Sequence, residues 1–100
     1  MAGRHREVTW TDEARFALNE VLSHIVEESP QGARSLLDRA LEAAASLETF
    51  SERGRVVPEQ DDPAVRELFV GRYRLLYEVS PSQVTILAFL HWSFPSLTPP

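Results

Sequence analysis

The sequence predicts an α+β domain, with a helical hairpin packed on an antiparallel sheet in the order β-α-α-β-β-β. Three observations carry this. Between Val65 and Trp92, three runs of β-branched, aromatic and aliphatic residues are separated by tight breaks at Gly71 and Ser80-Pro81-Ser82. Glycine supplies the positive φ of hairpin turns and proline presets a turn corner, so this stretch reads as a meander of three strands. Upstream, two segments carry apolar residues at the three-and-four spacing of amphipathic helices. Before them, Glu7 to Trp10 alternates as a short strand.

In the first helical segment, Thr11 is placed as an N-cap, and Asp12 and Glu13 put negative charge where the helix dipole favours it. Ala14, Ala17, Leu18, Val21, Leu22 and Ile25 form its apolar stripe, which runs to about Glu28. Ser29-Pro30 ends this helix and starts the next, because serine caps well and proline is tolerated at the first helical position. Ala33, Leu36, Leu37, Ala40, Leu41, Ala44 and Leu47 make the second stripe, whose alanines allow close helix approach. Arg34, Asp38, Arg39 and Glu42 fall on the opposite side. Residues 48–64, punctuated by Gly54, Pro58 and Pro63, read as the longest irregular stretch. Residues 1–6 read as a flexible start, and the proline-rich tail after Trp92 as unable to continue a central strand.

Alternation assigns faces within the meander. Tyr73, Leu75, Tyr77 and Val79 share one face of their strand, and Arg72, Arg74, Leu76 and Glu78 the other. In the last strand, Val84, Ile86, Ala88 and Leu90 share one face, and Thr85, Leu87 and Phe89 the other. The outer side of the sheet is thus expected to keep Leu76, Leu87 and Phe89 beside arginines, an apolar patch suited to a contact surface. The competing expectation is that a C-terminal segment of the same chain covers it.

One hundred residues suit one domain, with an ordered core over about residues 7–92. The absence of cysteine excludes disulfides and thiolate metal sites. No two histidines share a metal-ligand spacing, so neither metal nor cofactor is expected. No apolar run reaches the length of a membrane span, and the N-terminus lacks the apolar core of a signal peptide, so a cytoplasmic protein is expected. The net charge of −5 argues against strong nonspecific nucleic-acid binding. Residues 1–50 hold nine acids and five arginines, and residues 51–100 hold six and five, so the excess lies on the helical half. There is no lysine, which removes a lysine ammonium from any catalytic scheme.

Taken with this element order, Gly54-Arg55-Val56-Val57-Pro58-Glu59, Val65-Arg66-Glu67-Leu68, Gly71-Arg72-Tyr73-Arg74-Leu75-Leu76-Tyr77 and Val84-Thr85-Ile86-Leu87 running to His91 resemble the RelE/ParE superfamily of bacterial toxins. These are the toxin halves of type II toxin–antitoxin modules, associated with plasmid stabilisation. The resemblance covers about residues 7–92. It implies either of two actions: RelE-like cleavage of mRNA on the ribosome, or ParE-like poisoning of DNA gyrase without RNA hydrolysis.

The RNase set that such relatives use comprises lysines on the strand before Tyr-Arg, an arginine on the Tyr-Arg strand, and a C-terminal arginine and tyrosine. Here Arg74 matches, the preceding strand offers Arg66 and Glu67 instead of lysine, and neither arginine nor tyrosine follows His91. A glutamate at the lysine position would repel an RNA phosphate. The ParE-like branch is therefore favoured, with a gyrase subunit as target and a cognate antitoxin as silencing partner in a hetero-oligomer. In other ribosome-dependent relatives, a histidine works with a glutamate and an arginine. His91 and Arg74 with Glu59 or Glu78 would be the counterpart, imidazole moving a proton and guanidinium stabilising a phosphorane. A third expectation is an inactive homologue that only binds antitoxin.

Arg66, Arg72, Arg74, Leu76, Leu87 and Phe89 are the candidate partner-binding residues. The plainer reading of the arginines is solubility, or ion pairs with Glu67 and Glu78. The plainer reading of His91 is a strand-end residue bonded locally. His24 is expected to face solvent, and Tyr73 and Tyr77 to lie between sheet and helices.

Overall fold

The computed structural model describes residues 5–93. Its elements are β1 (Glu7–Trp10), α1 (Asp12–Glu28), α2 (Pro30–Ser46), β2 (Arg55–Val56), β3 (Val65–Val70), β4 (Tyr73–Val79) and β5 (Gln83–His91). Of the expected flexible start at residues 1–6, residues 1–4 lie outside the described residues, as does the tail beyond Ser93, whereas Arg6 is held, its backbone N–H donating to the Glu48 carbonyl at 2.8 Å and its Nε to that of Ser80 at 2.7 Å.

Both helices begin as their sequences dictate. Thr11 Oγ1 accepts the N–H of Ala14 at 3.0 Å, and Ser29 Oγ accepts that of Gly32 at 2.9 Å, each satisfying a donor the first helical turn leaves over. Pro30 occupies the opening of α2, where its missing N–H costs nothing. The stripes meet each other and the sheet: Ala14, Leu18, Leu36, Ala40, Ala44 and Leu47 are buried with Val70, Leu75, Tyr77, Val84, Ile86 and Phe89 in the main core. Arg34 and Asp38 pair at 3.7 Å on the exposed side of α2, where the attraction is screened by water.

The sheet order is β1-β5-β4-β3-β2. β3, β4 and β5 form the expected antiparallel meander. Gly71 opens the first turn at φ +60°, and no other described residue has positive φ, the pattern of a II′ corner between Val70 and Tyr73. The second turn closes through Ser80, whose N–H and hydroxyl both reach the carbonyl of Gln83. The sheet is mixed rather than wholly antiparallel, because β1 runs parallel to β5 from Glu7↔Gln83 to Trp10↔Ile86. The long helical hairpin returns the chain across the sheet, a crossover that parallel neighbours require.

Two further expectations are corrected. Residues 48–64 are not wholly irregular: β2 pairs Arg55 with Glu67 and Val56 with Arg66. The faces of β5 also change halfway along. Its ladder with β4 slips where Leu76 opposes Ala88 but Tyr77 opposes Ile86, which leaves Leu87 as an extra residue. Such a bulge resets the alternation beyond it. Val84, Ile86 and then Phe89 therefore enter the main core, whereas Leu87, Ala88 and Leu90 lie on the opposite side of the sheet.

Candidate functional site

Opposite the helices, Val57, Val65, Leu76 and Ala88 close into a second, smaller core, with Leu87 and Leu90 packed against its margin. Val57 belongs to the segment around β2, which folds back over the sheet. The expected open patch is thus not formed. Leu76 is covered by this internal segment, Phe89 is buried under the helices, and Leu87 is half-buried. Phe89 stacks on Tyr73 with ring centroids 5.2 Å apart, a contact worth about 0.5–1.5 kcal/mol beyond its buried area.

The same sheet face carries an ion cluster in which Glu67 and Arg74 are buried and Arg55 and Glu59 reach the surface. Glu67 on β3 and Arg74 on β4 are diagonal neighbours, since Glu67 opposes Leu76 and Arg74 opposes Phe69. Glu67 Oε1 accepts from Arg74 Nε at 2.8 Å and lies 2.7 Å from Nη2. Glu67 Oε2 accepts from Arg55 Nε, so β2 is tied to the sheet by charge as well as by its ladder. Glu59 approaches Arg74 Nη2 at 3.8 Å from the loop. Two arginines and two carboxylates thus balance, the condition under which buried charge is tolerated. Arg74 was expected on an exposed face and is instead buried, because Glu67 and the β2 segment enclose it.

The other arginines separate. Arg66 turns to the opposite side, where its Nη1 donates to the carbonyls of Glu52 at 3.1 Å and Gly54 at 2.8 Å. Next to it, the N–H of Gly54 donates to Tyr77 Oη at 2.9 Å. A Cβ at Gly54 would stand 2.5 Å from the carbonyl oxygen of Glu67 and 2.6 Å from Tyr77 Oη, so only glycine lets the strand approach this closely. Burial pushes the Tyr77 hydroxyl above its ordinary pKa, partly opposed by the Gly54 N–H and by Arg66. Arg72 is exposed at the Gly71 turn.

His91 lies opposite Tyr73 at the end of β5, one position from Leu90, which opposes Arg74. Adjacent residues on a strand face opposite sides, so His91 and Arg74 project from different faces of the sheet. The His91 ring meets Tyr73 edge-on with centroids 5.6 Å apart, and its Nδ1 lies 2.8 Å from Ser93 Oγ. Glu59 and Glu78 lie on the Arg74 side and are exposed, and His24 is exposed on α1. Sequence reasoning placed Glu67 only as a surface partner of the arginines. The readable signal for its burial was its position between Val65 and Phe69 on one strand face.

Comparison with known proteins agrees with the fold. The chromosomal ParDE toxin–antitoxin system from P. aeruginosa contains a chain that superposes with a TM-score of 0.72 at 21% sequence identity, covering 87% of this chain and 96% of that one. No curated protein matches the sequence significantly. Residues 8–93 match the family described as the ParE toxin of the type II toxin–antitoxin system parDE. That match takes in both helices and, but for Glu7, the five strands, and by it the chain belongs to the ParE toxin family of type II toxin–antitoxin systems.

Proposed function

We infer that this chain is a toxin that works in the cytoplasm by binding a DNA gyrase subunit, not by cleaving RNA, and that a cognate antitoxin silences it. The observation that carries the reading is the divergence of Arg74 and His91. An RNase built on them needs a guanidinium and an imidazole converging on one phosphate within hydrogen-bond reach. Here they leave opposite faces of the sheet, and Arg74 is enclosed and bonded to Glu67. Without that pair, the family's binding action is the reading the residues support best, and the absence of lysine points the same way.

The test is supercoiling by purified gyrase, titrated with antitoxin-free protein. Loss of supercoiling or accumulation of cleaved DNA is expected. Intact gyrase activity together with cleavage of a translated message would overturn the reading in favour of a ribosome-dependent RNase. Neither effect, with retained antitoxin binding, would identify an inactive homologue.

A further inference from the structure

β1 is the last strand on its side of the sheet. Its bonds to β5 set the direction of its backbone groups. The N–H of Glu7 donates to the Ser82 carbonyl at 3.3 Å, and that of Thr11 to the Ile86 carbonyl at 3.0 Å. Glu7, Thr9 and Thr11 therefore face β5, and the backbone groups of Arg6, Val8 and Trp10 face outward. The Arg6 N–H is taken by the Glu48 carbonyl at 2.8 Å, just beyond α2. Among the described residues, no hydrogen bond reaches the outward groups of Val8 and Trp10. Sheet edges are ordinarily blunted by a charge, a proline or a bulge, and the run Val8-Thr9-Trp10 has none of these.

This edge is complementary to itself. A second copy, antiparallel and related by a two-fold axis at Thr9, sets Val8 of each copy opposite Trp10 of the other. Both pairs then exchange their N–H and C=O groups, and Thr9 meets its own counterpart in the non-hydrogen-bonded position between them. Moving the axis to Val8 or to Trp10 leaves a single such pair, because the Arg6 N–H is already bonded to Glu48 and Asp12 has entered α1. The side chains suit the same register. Aromatic with β-branched and threonine with threonine are favourable cross-strand pairs, and Glu7 falls opposite Thr11, so no like charges meet. Trp10 is half-buried, and with Arg15, Leu18, Asn19 and Leu41 it lines an open cavity of about 140 Å³ that keeps apolar surface beside the edge.

We propose that the chain associates with a second copy of itself through β1, in an isologous dimer whose axis passes Thr9 and whose two five-stranded sheets become continuous. The register selects a second copy over an unrelated strand: one symmetric contact satisfies the open groups of both edges at once and closes, with no further edge left on that side. The contact is short, so the dimer is weak and forms at high concentration. Its strand lies at the opposite end of the sheet order from β2, and it holds whatever the target of the toxin.

The test uses the full chain, which contains no cysteine, so a single introduced thiol reports on one position. Non-hydrogen-bonded antiparallel partners stand close enough for a disulfide. In a glutathione redox buffer, Thr9→Cys should form the disulfide-linked dimer at least about tenfold more than Glu7→Cys, whose counterpart lies far along the strand. For the native chain, sedimentation from about 10 μM to about 1 mM should show the mass rising above that of the monomer. Amide shifts over the same range should centre on Val8 and Trp10. Thr9→Lys and Thr9→Glu should each remain monomeric while keeping the native amide spectrum of β4 and β5, and mixing them should restore association. A native mass that stays monomeric at the highest concentration, equal cross-linking at positions 7 and 9, shifts elsewhere, or a dimer untouched by Thr9→Lys would overturn the proposal. None of these readouts involves gyrase, so failure here and failure of the supercoiling test are separable.

Discussion

Glu67 and Arg74 form a buried ion pair diagonally across β3 and β4, with side chains 0% and 5% exposed. The pair binds three things together: the two strands, the β2 segment through Arg55, and the loop through Glu59. Its value is conditional, since desolvating two charges offsets much of their attraction, whereas removing one partner strands the other.

Glu67→Ala should accordingly destabilise the fold by about 3–5 kcal/mol, a large part of the ~5–15 kcal/mol typical of a domain. The double replacement Glu67→Met with Arg74→Met should recover most of that loss, since no buried charge is left unpaired. Urea unfolding of the single and double variants checks this. A double variant no more stable than Glu67→Ala would show that the charges themselves are required.

Tyr77 makes stability depend on pH at the alkaline end. Its hydroxyl is held above an ordinary value near 10 by burial, so the folded state keeps the proton that the unfolded chain loses. The contribution is fully present below pH 10 and is lost as pH rises through the folded value. The chain has ten arginines and no lysine, so no lysine titrates in that window. The urea midpoint of the native chain should fall as pH rises above 10, and Tyr77→Phe should flatten that fall. At pH 7 the same variant should cost about 1–3 kcal/mol, because the buried Gly54 N–H loses its acceptor.

Gly71 is held at φ +60° in the β3–β4 turn. Gly71→Ala puts a Cβ where left-handed backbone is unfavourable and should lower stability by about 1–2 kcal/mol. Thermal unfolding measures this, and an unchanged midpoint would mean the turn relaxes into another type.

His91 provides the sharpest separation of the two toxic mechanisms. Its ring sits beside Tyr73 and Ser93, on the sheet face away from Arg74. Growth arrest on expression should therefore survive His91→Ala at wild-type protein level. Loss of arrest with folding intact would return the histidine to a chemical role.

What the sequence determined by itself was local. Thr11 and Ser29 cap their helices, the apolar stripes select the helical faces, and Gly71 places the first turn, because each depends on neighbours within a few residues. The Tyr73-Leu75-Tyr77 side of β4 was legible for the same reason. Tertiary structure decided the rest. The bulge at Leu87 is a property of two strands in register, and once present it moved Phe89 into the core and Ala88 and Leu90 out of it. The parallel placement of β1 and the closing of Val57 over Leu76 depend on contacts between segments far apart in the chain. So does the environment of Arg74. An arginine on an alternating strand reads as exposed until a glutamate from the neighbouring strand and a loop from elsewhere neutralise and enclose it. Charge compensation across strands is non-local, so the burial of Arg74 could not be read from its own strand.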